Sequence, residues 1–304
     1  MRELSCFGDS SVGIAAAGDS VRGGGGALDR SLQAATTTVY GATLRSGKEL
    51  LIHVTWTRSA AGATGLAVAL DAAAATLSPP SSSKRATHHV LHKRRGSRSL
   101  ATAGAGGDTA VTVHWDTTDA TYASDSSPEP TGGDYYLAVV AVAGAGDELA
   151  LLLGAGDAAR YISRRFADSA ATAAVVLSRR EQLRAAAAAH TARCRFREGG
   201  AEHEVAVQAT RGGGEGEVRV SIDGKRVAEV RRVGWGFRGN RAAVLADGEV
   251  VDVMWDVHDW WFGGGGAGAQ FMVRARVEKD GRLWMADQPP ARGGFFLHVQ
   301  CYRR

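Results

Sequence analysis

The chain has little cysteine, little proline and no long hydrophobic run. Its 304 residues include three cysteines and six prolines. Cys6, Cys194 and Cys301 are too few and too scattered for a disulfide framework or a zinc site, so no metal is predicted and a reducing compartment is expected. The longest strongly apolar run, residues 137–145, is about half the length that a membrane-spanning helix needs. These absences argue against a disulfide-rich secreted protein and against a transmembrane segment.

We expect no targeting signal in the N-terminal residues. They lack the apolar core of a signal peptide, and Glu3, Asp9 and Asp19 argue against a transit peptide. We therefore expect a soluble, intracellular protein, in the cytoplasm and not secreted. Residues 1–34 are rich in Gly, Ala and Ser without periodicity, which predicts a disordered segment.

The charge balance is only mildly basic. Lys and Arg number 36 against 32 Asp and Glu, which leaves a net charge of +4. A dedicated nucleic-acid-binding protein concentrates a larger excess on one face, so no nucleic-acid partner is expected. The glycine runs 23–26, 212–214 and 263–266 lack the strand-to-helix context of a phosphate-binding loop, and no cofactor is expected.

Short alternating and β-branched segments recur along the chain and predict an all-β fold. They lie at residues 36–40, 50–56, 66–70, 111–116, 135–142 and 148–153, and again at 204–208, 218–222, 251–255, 271–277 and 281–285. Between them, Asp157 as a cap and the alanine run 185–189 predict a short helical connector.

The second half repeats the first in the same order, which predicts an internal duplication. Trp115-Asp116 matches Trp255-Asp256, and Asp71 matches Asp223. We expect two similar antiparallel β units, packed as sandwiches or merged in one closed barrel. The expected division is a disordered segment 1–34, a first β unit 35–154, a connector with helix 155–193 and a second β unit 194–304. Tryptophans near strand ends should lie in the core: Trp56, Trp115, Trp235 and Trp255.

The densest motif is the run from Trp255 to Phe262. Asp256, His258 and Asp259 could form an acid–base or metal cluster. The first-half copy, Trp115-Asp116, lacks the histidine, and this favours a structural motif over a catalytic site, so no catalytic residue is assigned. His88, His89 and His92 have no carboxylate or cysteine nearby, and no metal site is expected there.

Two basic segments form a candidate binding surface. Lys93, Arg94, Arg95 and Arg98 are predicted on a hairpin tip, and Arg238 and Arg241 flank a predicted Gly-Asn turn. Such a patch could hold an acidic protein or an anionic ligand, although a solvated surface has the same composition. Ser97 follows two arginines and is a candidate phosphorylation site, where a phosphate would neutralise about half of the local positive charge.

Three long motifs resemble a known family. Residues 220–225, 235–240 and 255–260, together with 1–8, 54–56, 95–98 and 177–181, resemble the plant family called domain of unknown function 868. The resemblance covers about residues 36–277, implies a plant protein and carries no reaction. One departure is the segment His88–His92, where the family usually shows tryptophan-rich sequence.

Three classes of function therefore remain open. The first is a non-catalytic binding or scaffold protein, which the lack of a catalytic constellation favours. The second is a lipid or small-ligand carrier, which needs an open barrel interior. The third is an enzyme that uses Asp256, His258 and Asp259.

Overall fold

The structure is a computed structural model of the whole chain. It describes residues 28–72, 89–102, 109–123, 127–143, 146–167, 174–185, 188–211, 215–263, 268–276 and 295–303. Of the segment 1–34 that was predicted to be disordered, residues 1–27 lie outside the described residues, as do His88 and the predicted strand 281–285. Residues 28–34 are described: Leu28 is buried and β1 begins at Leu32.

Eight strands form a first β unit. They are β1 (Leu32–Thr43), β2 (Glu49–Ser59), β3 (Thr64–Ala72), β4 (His89–Leu91), β5 (Arg95–Thr102), β6 (Thr109–Tyr122), β7 (Pro130–Ala143) and β8 (Gly146–Ala155). Strands β5 to β8 form one antiparallel sheet in chain order, and β1 to β4 pair in chain order within another sheet. One hydrophobic cluster joins buried side chains of both sets, among them Ile52, Val68, Val113 and Val139. Alternate residues of these strands face it, as the period of two in β2 requires.

Eight further strands form a second β unit with the same order. They are β10 (Ala188–Cys194), β11 (His203–Thr210), β12 (Glu217–Ile222), β13 (Lys225–Val230), β14 (Arg238–Val244), β15 (Val250–Asp256), β16 (Gly268–Ala275) and β17 (Phe296–Arg303). Two short helices lie in this unit, α2 (Val233–Gly236) and α3 (His258–Phe262). Its core contains Val207, Val220, Val253, Phe271 and Leu297.

The segment between the units contains a helix, α1 (Gly156–Arg165), and a strand, β9 (Val175–Ala185). The predicted helix over the alanine run 185–189 is wrong, because β9 ends at Ala185 and β10 begins at Ala188. Ala188 pairs with Ala209 of β11 and is buried, so tertiary pairing overrides the intrinsic helix propensity of alanine. Asp134 of β7, and not Asp157, accepts a hydrogen bond from the first turn of α1, at 3.0 Å from the Ala158 nitrogen.

Strand β9 joins the two units into one sheet. It pairs antiparallel with β1 and parallel with β17, which gives a nine-stranded order β14-β15-β16-β17-β9-β1-β2-β3-β4. None of the three sheets in the described part of the chain closes on itself, so the single closed barrel is not the architecture. The fold is all-β with little helix, as expected.

The units match in strand order and in register, which supports the duplication. Arg95 and Gly96 pair with Asp116 and Trp115 in the first unit. Arg238 and Gly239 pair with Asp256 and Trp255 in the second. The duplication itself stays a prediction, as do the three proposed boundaries. Strand β1 begins at Leu32, ahead of the boundary at residue 35, and β10 begins at Ala188, ahead of the boundary at residue 194.

Three of the four tryptophans expected in the core are buried. Trp56, Trp115 and Trp255 are at most 9% exposed, whereas Trp235 is 92% exposed. The expectation for Trp235 is wrong because it lies on α2, outside any strand, and its side chain points away from the core. In the described part of the chain, no helix combines the length and the apolar character that crossing a membrane would require.

Candidate functional site

The two Trp-Asp pairs form equivalent corners. The Trp115 indole nitrogen donates to the Lys93 carbonyl oxygen at 2.9 Å, and that of Trp255 donates to the Gly236 carbonyl oxygen at 3.0 Å. Each indole ties its strand to the chain that enters the neighbouring strand. The predicted structural role of Trp115 and Trp255 fits this geometry.

The aspartates of these pairs hold the backbone that follows, which is an irregular part of β6 after Asp116 and the start of α3 after Asp256. Asp116 Oδ1 accepts the backbone N–H of Thr118, and Asp256 Oδ1 accepts that of His258, both at 3.0 Å. Asp256 Oδ2 also accepts a hydrogen bond from Nε of Arg238 at 2.8 Å. The Asp256 carboxylate is thus engaged by a backbone amide and an arginine, and not by the His258 ring.

His258 and Asp259 lie on the surface. His258 Nδ1 and Asp259 Oδ1 are hydrogen-bonded at 2.9 Å, with side chains 41% and 70% exposed. The His258 ring packs on Phe237 and Phe262. No hydrogen bond described here joins this histidine ring to Asp256, so Asp256, His258 and Asp259 do not form one relay.

The first basic segment lies on a strand and not on a hairpin tip. Residues 95–102 form β5, which is paired along its length with β6, and Lys93 and Arg94 lie just before it. Because strand side chains alternate, Arg95 and Ser97 share the outer face, while Arg98 lies on the face of the buried Leu100. The four cations are all exposed but do not form one patch.

The second basic segment is also a strand. Arg238 and Arg241 lie on β14, and the predicted Gly-Asn turn between them is wrong because Gly239 and Asn240 are both paired with β15. Glycine is required at position 239 because a Cβ there would lie 2.3 Å from the Trp255 ring. Arg238 pairs with Asp256, and Arg241 lines a shallow groove beside β13.

A cleft in the first unit brings Arg94 together with residues that the sequence did not indicate. Its volume is about 540 Å³. It opens between the β2–β3 turn, the start of β1 and the distal end of β6. The lining residues are Gln33, Ala34, Arg58, Ser59, Ala60, Gly62, Ala63, Thr64, Arg94, Ala120, Tyr122 and Ala123.

Among the described residues, two cations and no carboxylate line this cleft. Arg58 is two residues beyond the buried Trp56 on β2, so it extends the core-facing row to the mouth of the cleft. Its Nε is buried and has no hydrogen-bond partner among the described residues. A buried guanidinium nitrogen without a partner is costly, and an anion would satisfy it.

The second unit fills the corresponding place with its own side chains. Arg211 lies two residues beyond Ala209 on β11, as Arg58 does beyond Trp56. Its guanidinium lies over the rings of Trp260 and Trp261 and donates to the Trp261 carbonyl oxygen. In the sequence match, Trp260 corresponds to Ala120, a cleft residue. The sequence could have indicated Arg58 by this difference, because the first half has Ala120 where the second half has the tryptophan that contacts Arg211.

The comparisons with known proteins identify a family and nothing more specific. A family model described as a plant protein of unknown function, DUF868, matches residues 31–293. Neither the curated proteins nor the solved structures include a match. The suspected family is therefore confirmed, and it brings no reaction or ligand with it.

Proposed function

The chain belongs to the DUF868 family of plant proteins of unknown function, and we propose that it is a non-catalytic binding protein whose cleft takes an anionic group of its partner. The observation that carries this proposal is the buried Nε of Arg58, which has no partner among the described residues, in a cleft whose described lining contains Arg94 and no carboxylate. The group would be an oxyanion, either a carboxylate of an acidic protein segment or the phosphate of a small ligand.

The electrostatics of the cleft support an anion. Arg58 has no ion pair within the described residues, and the same holds for the side chain of Arg94. A hydrogen bond to a charged group contributes about 1.5–3 kcal/mol, more than one between neutral groups. Polar side chains of Gln33, Thr64 and Tyr122 line the same cleft and offer further donors.

The two other classes of function have less support. A carrier needs an enclosed interior, whereas the described sheets stay open and the two cores are filled by packed side chains. An enzyme that uses Asp256 would need its carboxylate free, yet Arg238 and the His258 amide engage it. Ser97 and the basic residues of β5 are not among the residues that line the cleft. Ser97 stays a candidate phosphorylation site on the outer face of β5, where a phosphate beside Arg95 would lower the positive charge of that face.

As part of this proposal, we place the protein inside the cell, in the cytoplasm, and its free thiols support this location. Cys194 and Cys301 are free and buried. Burial raises the pKa of each thiol to about 12, which keeps both in the unreactive protonated form.

The test is calorimetric titration of the full chain with inorganic phosphate and, separately, with a hexaglutamate peptide. Arg58→Met should weaken binding of the active probe about tenfold or more, because tenfold corresponds to about 1.4 kcal/mol. It should not lower the unfolding temperature, because it removes a buried nitrogen that has no partner. Loss of binding without loss of stability is typical of a functional residue.

Arg95→Met is the matched control, because it removes one charge from the outer face of the neighbouring strand. It should change the affinity less than threefold. The probe that binds distinguishes a small phosphate ligand from an acidic protein segment. If neither probe binds, or if Arg58→Met binds as wild type does, the cleft is not the binding site.

A further inference from the structure

A buried histidine begins strand β11 in the second unit. His203 faces the core with Val205 and Val207 and is 3% exposed. The strand match puts Leu50 at the same place in the first unit, where it is fully buried. An imidazole at a core-facing position is costly unless both ring nitrogens have partners.

One ring nitrogen has a well-ordered partner. His203 Nδ1 lies 2.7 Å from Oδ2 of Asp223, and the other oxygen of that carboxylate accepts the Glu204 N–H at 2.9 Å. Asp223 and Gly224 form the two-residue turn between β12 and β13, with φ of 51° and 73°. Because a carboxylate only accepts, Nδ1 carries the proton and the lone pair of the neutral ring is on Nε2.

The second ring nitrogen points at two carboxylates. Among the described residues, His203 Nε2 is buried without a hydrogen-bond partner, and it lies 3.3 Å from Oδ2 of Asp247. The Nε2 atom and one oxygen each from Asp247 and Glu249 lie within 4.8 Å of one another. The other Asp247 oxygen accepts the Glu249 N–H at 3.2 Å, which orients Asp247 toward the histidine.

We propose that His203, Asp247 and Glu249 bind a divalent transition-metal ion, Zn²⁺ foremost, with Asp223 as the positioning residue behind His203. The ion would tie the Asp247–Glu249 turn, which joins β14 to β15, to the start of β11. This site is separate from the cleft in the first unit and does not depend on it.

The geometry fits zinc better than magnesium or calcium. Zinc takes four ligands at about 2.0–2.2 Å, so neighbouring ligand atoms of a tetrahedron lie about 3.3 Å apart. The distance from Nε2 to Asp247 Oδ2 has this value. A histidine that donates its other N–H to a carboxylate is the usual arrangement behind a metal-bound imidazole. Magnesium and calcium prefer six or more oxygen ligands, and this set contains a nitrogen.

Two groups compete with the ion. Arg197 Nε lies 2.5 Å from Oε1 of Glu249, but its side chain is 62% exposed and can turn into solvent. A proton on His203 is the other competitor. Burial lowers the pKa of His203, but the hydrogen bond and charge of Asp223 and the charge of Asp247 have the larger effect, so the pKa is raised. Metal binding is therefore measured at about pH 8, where a proton competes least.

The test uses the untagged full chain, treated with chelator and titrated with ZnCl₂ by calorimetry. Wild type should bind one equivalent and gain thermal stability, and Co²⁺ should give the visible spectrum of a four-coordinate site. His203→Leu, which introduces the residue type found at the matched position 50, should abolish binding of this zinc ion. Asp247→Asn should weaken zinc binding at least tenfold. Asp223→Asn, which keeps the turn, should weaken binding about 10- to 100-fold.

His258→Asn is the control for zinc binding to surface histidines, and this variant should still bind one zinc ion per chain. If His203→Leu fails to fold, Asp247→Asn decides, because Asp247 is at the surface and its loss leaves the core unchanged. The proposal is overturned if Asp247→Asn binds Zn²⁺ as wild type does, or if MgCl₂ stabilises the chain as well as ZnCl₂ does. It is overturned equally if the wild-type chain binds no zinc and His203 only bridges Asp223 and Asp247 as an imidazolium.

Discussion

At the scale of single residues, each unit pairs a glycine with the tryptophan of its Trp-Asp pair on the neighbouring strand. Gly96 faces the Trp115 ring and Gly239 faces the Trp255 ring, and neither glycine has a positive φ. The requirement is therefore steric and not conformational. It is stronger in the second unit, where an added Cβ would lie 2.3 Å from the ring instead of 3.0 Å.

We expect Gly239→Ala to destabilise the protein by about 1–3 kcal/mol, the usual cost of overpacking. The Trp255 ring cannot move aside easily, because its nitrogen is hydrogen-bonded to Gly236. Gly96→Ala should cost less, and Gly234→Ala, which meets no atom within 4 Å, should be nearly neutral. Urea unfolding monitored by tryptophan fluorescence measures all three, and equal stability of Gly239→Ala and wild type would show that the contact is loose.

At the scale of elements, β9 carries the charges that hold the two units together. Arg179 donates to both oxygens of Glu129 at 3.0 and 2.5 Å and to Glu181 at 2.5 Å. Glu181 is also hydrogen-bonded to His190 of β10. Burial raises the pKa of Glu181, but His190 and Arg179 outweigh it and hold the pKa below its usual value. This strand contains the segment 177–181, which belongs to the family resemblance.

Arg179→Met should lower the free energy of unfolding by on the order of 3 kcal/mol. That is the lower end of the cost of breaking a buried ion pair, chosen because this pair is about one-fifth exposed. The substitution leaves Glu129 and Glu181 without their shared cation. Adding Glu129→Gln should recover part of the loss, since one of the two unpaired charges is then removed.

The matched variant is Arg193→Met, which removes an exposed arginine that pairs with Glu204. Exposed pairs contribute little, so this variant should unfold close to wild type. If Arg179→Met unfolds at the same urea concentration as Arg193→Met, the ion pairs of Arg179 on β9 do not stabilise the connection between the two units.

At the scale of the whole molecule, one buried histidine should shape the acid stability. His298 lies on β17, is 4% exposed and has an Nε2 without a hydrogen-bond partner among the described residues. Burial, with a smaller contribution from Arg180, lowers its pKa from 6.5 to about 3. In the folded protein it is therefore neutral throughout the range in which the unfolded chain takes up a proton.

The direction of the pH dependence of stability follows from proton uptake by the unfolded chain. Between about pH 6.5 and pH 3 the unfolded state binds one more proton at this residue, so stability falls as the pH falls. The slope from this residue approaches about 1.4 kcal/mol per pH unit. His298→Leu should remove this slope while changing stability little at pH 7, because the buried nitrogen has no partner to lose. Urea midpoints at about pH 7, 6 and 5 compare wild type with His298→Leu. Parallel curves for wild type and His298→Leu would contradict the prediction.

Much of the architecture followed from the sequence alone. Local alternation and turn residues are properties of neighbouring positions, so the strands, their order and the matched Trp115-Asp116 and Trp255-Asp256 pairs could be predicted. The family could be predicted as well, because its motifs are long runs of uncommon residues. The alanine run at 185–189 and Trp235 were misjudged, since propensity and hydrophobicity do not say which strand pairs or which helix is exposed.

Only the tertiary structure decided where the chemistry lies. Sequence spacing groups Arg94, Arg95 and Arg98, but the alternation of β5 puts Arg95 and Arg98 on opposite faces. Arg58 and Arg94 are 36 positions apart and His203 and Asp247 are 44 apart, yet both pairs meet where separate strands end side by side. The sequence determined which segments become strands because that depends on near neighbours. The cleft and the histidine–carboxylate cluster depend on which strands pack together, and that is a property of the whole fold.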